Sequence, residues 1–165
     1  MAATGSFYEY NGAGSTETAN ISNLNFGSND SANLTVATYP ITAGSNSYEK
    51  YIKINFGGTF NYLGSLFFWK SGGAYVTGES CYCSSSGSPW TQISYATPAM
   101  TNSSDTGSVH ATLPNHMNVG IGGDVIGSLT SAGTSDYIRL QLRTTSSTPA
   151  GDVNQKTFKI QWIEA

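Results

Sequence analysis

Few residues in this chain have the types and spacing that chemistry requires. His110 and His116 are the only histidines, and Cys81 and Cys83, in "ESCYCSSSG", are the only cysteines. A catalytic or metal-binding histidine needs partners that fix its ring and its proton. "HATLPNH" sets the two histidines on either side of Pro114, without His-x-His, HExxH or a Cys/His ligand set. They read as ordinary surface or hydrogen-bonded side chains. In a strand, Cys-x-Cys points both sulfurs to one face, where a bridge between them is strained. The pair reads as two reduced thiols. No G-x-S-x-G is present, and the serines of "CSSSGS" read as loop residues. Ten carboxylates are scattered singly, so the facing pair of a glycosidase is not evident. Asp124, Asp136 and Asp152 fall in turns, where carboxylates usually accept backbone N–H groups. "GIGGD", residues 120–124, lacks the lysine and following helix of a phosphate loop and reads as a bulge or tight bend. The expectation is a protein that is not an enzyme, with no cofactor and no metal.

The elements that would position these residues are short strands. Ser, Thr, Asn and Gly supply 74 of the 165 residues, whereas charged residues are only 10%. Aromatics reach 12%, with ten tyrosines, so the chain is not disordered in character. This composition suits β-strands joined by turns. Seven basic residues against a net charge of −3 cannot build a phosphate-binding stripe, which argues against nucleic acid. No apolar run is long enough to span a membrane as a helix. "MAATGSFYEYNGAG" has neither the basic start nor the apolar stretch of a secretory signal, so synthesis in the cytoplasm is expected.

Alternation fixes the strands. In "YEKYIKINF", Ile52, Ile54 and Phe56 share one face, and "GG" at 57–58 ends the run. In "TFNYLGSLFFWK", Leu66 and Phe68 share one face and Phe67 and Trp69 the other, as in a central strand. "HMNVGIGGDVIGSL" puts Met117, Val119 and Ile121 together. Ile138, Leu140 and Leu142 oppose Arg139, Gln141 and Arg143, and Phe158, Ile160 and Trp162 oppose Lys159 and Gln161. These last two runs flank "RTTSSTPAGD" and read as a closing hairpin with Trp162 inside. Further strands are expected in "ISNLNFGS", "ANLTVATYPI", "SGGAYVTG" and "WTQISYAT", and around Val109. The sum is an all-β antiparallel sandwich, Ig-like with Greek-key connections, of about eight to ten short strands. Residues 1–20 read as an N-terminal arm or leader and 21–165 as one sandwich domain. Deletion of the arm is expected to leave a folded sandwich that no longer assembles.

The aromatics are the strongest sign of function. Trp69, Trp90 and Trp162, with many tyrosines, could be core, anchors of a protein interface, or stacking platforms for sugars. Phe7, Tyr8, Tyr10, Trp69 and Trp90 are the expected contact residues.

The run "NLNFGSNDSANLTVATYPITAGSNSYEKYIKINFGGTFNYLGSLFFWKSGG" and the ending "DYIRLQLRTTSSTPAGDVNQKTFKIQWIEA" resemble virion structural proteins of tailed bacteriophages. The likeness covers about residues 20–165 and lies in the order of strands and turns. "TPAG" between closing strands is also common in bacterial Ig-like adhesin modules. The resemblance implies a decoration, head-fibre or tail component that docks on phage capsid or tail proteins. It implies a virion location and a homo-oligomer or symmetric array, and it carries over no catalytic residues. A carbohydrate-binding or adhesin module that contacts host-surface glycans is the alternative.

Overall fold

The computed structural model describes residues 2–12, 14–86, 104–105, 116–151 and 154–165. Among them the chain forms eleven strands and no helix: β1 (Thr4–Asn11), β2 (Thr16–Thr18), β3 (Lys50–Gly57), β4 (Leu63–Gly72), β5 (Glu79–Ser86), β6 (Ser104–Asp105), β7 (Met117–Val119), β8 (Ser128–Leu129), β9 (Gly133–Thr134), β10 (Tyr137–Thr144) and β11 (Thr157–Glu164). Every strand pair is antiparallel. The seven-stranded sheet runs β2-β1-β3-β10-β5-β6, with β9 also on β3, and the four-stranded sheet runs β11-β4-β7, with β8 also on β4. The all-β sandwich is as the sequence predicts. In the larger sheet the late strand β10 lies between β3 and β5.

The alternating residues form the core. Ile52, Ile54 and Phe56 of β3, Leu66 and Phe68 of β4, and Ile138, Leu140 and Leu142 of β10 are all buried. Met117, Val119 and Ile121 join them, and Phe158, Ile160 and Trp162 pack against this cluster half-buried. Phe158 stacks on Phe68 with ring centroids 5.4 Å apart, and Trp162 meets Phe56 edge-on at 5.3 Å. Cys81 and Cys83 are buried in the same cluster and form no disulfide. Burial of one such apolar side chain contributes about 1.5–3 kcal/mol, so this shared layer dominates the fold's stability.

Several expectations are corrected. Residues 1–20 are not an arm outside the sandwich. β1 pairs with β3 from Thr4–Gly57 to Tyr10–Tyr51, and Phe7 opposite Ile54 packs on the core. Phe7 and Ile54 supply the same apolar face on both strands, which makes β1 part of the sheet. Residues 21–41 hold no strand. There, local turns such as Thr38 N–H and Tyr39 N–H to the Thr35 carbonyl outcompete sheet pairing, and buried Leu34 anchors the loop. Residues 73–78 are likewise a turn without a strand. β5 is a strand that the serine-rich sequence concealed. "WTQISYAT" and the run around Val109 lie outside the described residues.

The closing hairpin is also corrected. β10 pairs with β3 and β5, and β11 pairs with β4 in the other sheet. "RTTSSTPAGD" therefore crosses from one sheet to the other. Its described part is pinned by a turn in which Thr148 N–H donates to the Thr145 carbonyl at 3.0 Å, and Thr145 N–H donates to Gly78. Beyond it, Lys156 Nζ reaches the buried Glu79 carboxylate at 2.5 Å. The two ends of the chain meet as well: Ala3 N–H donates to both carboxylate oxygens of Glu164, at 2.9 and 3.0 Å.

Candidate functional site

The expected contact residues fall in different places. Tyr8 and Tyr10 lie on the outer face of the larger sheet, opposite Lys53 and Tyr51 in register. Phe7 turns inward to the core. Trp69 stands on the smaller sheet, opposite Lys159, and is half-buried beside Phe67, which packs on the His116 ring at 4.2 Å. Trp90 and His110 lie outside the described residues. Among the described residues the structure brings together Tyr8 and Tyr10 of the expected set, and it adds residues that aromatic counting did not single out.

Those additions are Tyr137 and Lys53. Tyr137 meets Tyr10 edge-on at 5.3 Å, and Lys53 Nζ sits 4.2 Å from the centre of the Tyr137 ring. Tyr8, Tyr10, Lys53 and Tyr137 thus make a half-exposed row across β1, β3 and β10. Period-two alternation is the signal that finds them, once β1 is known to pair with β3. Beside the row lies a polar layer that is buried. Tyr51 donates its hydroxyl to Glu49 at 2.6 Å, and Arg139 reaches the same carboxylate at 3.4 Å.

Charge in this chain acts mainly inside the molecule. Three cations form buried ion pairs: Lys50–Glu9, Arg139–Glu49 and Lys156–Glu79. Three more rest on tyrosine rings: Lys53 on Tyr137, Lys70 on Tyr75 and Arg143 on Tyr82. A cation over an aromatic face is stabilised by the ring quadrupole by about 0.5–2 kcal/mol. Asp124 and Asp136 accept backbone N–H groups as expected, and Asp152 lies outside the described residues. Asp136 accepts from Gly123 N–H, and Asp124 accepts from Ile126 N–H at 3.0 Å, so "GIGGD" is a tight bend. That bend leaves Val125 and Ile126 exposed, and Ile163 is exposed on β11, on the other side of β4. Among the described residues no three His, Cys, Asp or Glu side chains are placed to hold a metal ion.

Three tyrosines are tuned by burial. Tyr10 and Tyr51 hold their protons well above the ordinary phenol range, through desolvation first and then the neighbouring carboxylates Glu17 and Glu49. Tyr137 shifts the same way, through burial and then the charge of Glu17. The unfolded chain ionises these phenols near pH 10, while the folded protein keeps them neutral. The folded state therefore binds more protons there, and stability falls as pH rises through that value. Urea midpoints measured on both sides of about pH 10 should decrease with pH, and phenolate absorbance should rise fully only on unfolding. A midpoint flat across that interval would contradict this account.

Comparisons with known proteins return no matching family model, no similar curated protein and no similar solved structure.

Proposed function

We propose that this protein is a structural component of a tailed-phage virion that docks on a capsid or tail as a decoration or accessory protein, and acts by contact. The observation that supports the reading is that aromatic or apolar side chains remain at the surface of both sheets. One sheet presents Tyr8, Tyr10 and Tyr137, and the other presents Phe67, Trp69 and Ile163. A component with contact faces on opposite sides can bridge two neighbours in a symmetric array. The chain also alternates between sheets, with β3, β5 and β10 in one and β4, β7 and β11 in the other. We read this as Greek-key connectivity of the jelly-roll kind, a layout found in capsid and lectin domains. The test is co-sedimentation with purified phage capsids or tails. Binding is expected, with roughly tenfold loss on Tyr137→Ala, because truncating one interfacial anchor costs about 1–2 kcal/mol. A monomer that binds neither particle overturns the reading.

A glycan-binding role is the second reading. It rests on the tyrosine row with Lys53 beside it, whose ring faces and cation suit a sugar. A glycan array separates the two, because particle binding without any glycan signal leaves only the first.

A further inference from the structure

At one end of the sandwich lies a cluster that neither contact face uses. Glu9 and Asn11 on β1 project to the same face as Lys50 on β3. One register step beyond the Tyr10–Tyr51 pair, Asn11 faces Lys50 across the two strands. Leu140 flanks Lys50 on its other side, and Ile52 follows on the same face. Lys50 and Glu9 are wholly buried, and Asn11 nearly so. Glu9 Oε1 accepts from both nitrogens, from Lys50 Nζ at 2.7 Å and from Asn11 Nδ2 at 2.9 Å. Asp30 holds the second hydrogen of the Asn11 amide at 2.8 Å and accepts from Gly12 N–H, fixing the amide's orientation. Two buried atoms have no partner among the described residues, Glu9 Oε2 and Asn11 Oδ1. Both are acceptors, so neither can satisfy the other while Glu9 is a carboxylate.

From this geometry we infer that Lys50 and Asn11 become joined by an intramolecular isopeptide bond, with Glu9 as the proton carrier. A buried amine, a buried amide and a carboxylate that touches both nitrogens are the parts this acyl transfer requires. Lys50 Nζ passes one proton to Glu9, and its lone pair adds to Asn11 Cγ. The Cγ–Nδ2 bond then breaks. Nδ2 leaves as ammonia, taking a second proton that began on Nζ and travels over Glu9 Oε1, which both nitrogens share. Nζ keeps one hydrogen, Glu9 ends as a neutral acid, and the net charge of the three groups is zero before and after. The product also resolves the two orphan atoms. Rotation of the neutral Glu9 carboxyl about its Cγ–Cδ bond then turns its hydroxyl toward the new amide oxygen, formerly Asn11 Oδ1, and its other oxygen accepts from the new N–H. The bond ties β1 to β3 covalently and closes the chain between residues 11 and 50, constraining the unfolded state as a disulfide does.

Intact mass of the purified full-length chain tests this directly. The expected mass is lower than the encoded one by a single ammonia. Trypsin should fail to cut after Lys50 and should release a branched peptide carrying both Asn11 and Lys50. A folded chain at its encoded mass overturns the proposal. Asn11–Gly12 could instead lose ammonia by cyclising to a succinimide. That product leaves Lys50 cleavable and is opened by hydroxylamine, and finding it also overturns the proposal. Lys50→Arg keeps the charge but lacks the nucleophilic amine, and it should stay at the encoded mass and unfold at a lower temperature. Glu9→Gln removes the proton carrier and should likewise stay uncrosslinked. An unchanged yield in Glu9→Gln would overturn the role of Glu9. If either variant fails to fold, the mass and peptide map of the natural chain decide alone.

Discussion

Deletion of residues 1–20 should abolish cooperative folding rather than release a free sandwich. Those residues carry β1, which pairs with β3 from Tyr51 to Gly57 and covers Ile54 with Phe7. They also carry Glu9, the counterion of the wholly buried Lys50. Removing one member of a buried ion pair costs about 3–5 kcal/mol, because the other charge is left uncompensated. Against a total stability of about 5–15 kcal/mol, that loss alone removes much of the margin. Loss of the β1–β3 hydrogen bonds and of the Phe7 contact adds to it. Near-UV circular dichroism and urea denaturation of the truncated chain check the point. A native spectrum with an unchanged midpoint would show that β1 is dispensable.

Phe68→Ala should be the most damaging single substitution in the core, whereas Phe67→Ala, one residue earlier, should be mild. Phe68 is fully buried and stacked on Phe158 with the rings 6° from parallel. Large-to-small changes at such a site cost about 3–5 kcal/mol, from lost transfer energy plus the cavity left behind. Phe67 points to the opposite face, half-buried against His116, where loss of one ring contact costs roughly 1 kcal/mol. The urea midpoints of the two variants compared with the natural chain give the answer. Equal losses would mean that the faces of β4 are wrongly assigned.

What the sequence made legible was the facing of side chains, and what it hid was their neighbours. Ile52–Ile54–Phe56, Ile138–Leu140–Leu142 and Phe158–Ile160–Trp162 all lie on the core side, because period-two alternation is local and each strand writes it independently. Pairing is not local. "RTTSSTPAGD" has turn residues suited to a hairpin, and both flanks are apolar on one face. A crossover between two sheets makes the same demands on its flanks as a hairpin does, so the sequence could not tell them apart. β5 was hidden because Ser80, Ser84, Ser85 and Ser86 resemble loop residues, although Cys81 and Cys83 alternate with Tyr82 inside it. Residues 21–41 erred the other way: their β-prone residues sit among Asn, Gly and Pro, and Asn33 adopts a left-handed φ of 54°, away from the extended geometry that a regular strand repeats. The tyrosine row needed β1 to be recognised first, and the Glu9–Asn11–Lys50 cluster joins residues far apart in the chain that only the β1–β3 register brings together.

The clasp between Ala3 and Glu164 has a practical consequence. The polypeptide enters and leaves the sandwich at one pole, so anything attached to either end is carried to the same spot. A permuted gene could join the two ends through a short linker and open the chain at the exposed Val125–Ile126 bend. In such a protein β1 would keep its place in the sheet while changing its place in the order of the chain. What the fold demands of this strand is its position beside β3, whatever its position along the chain.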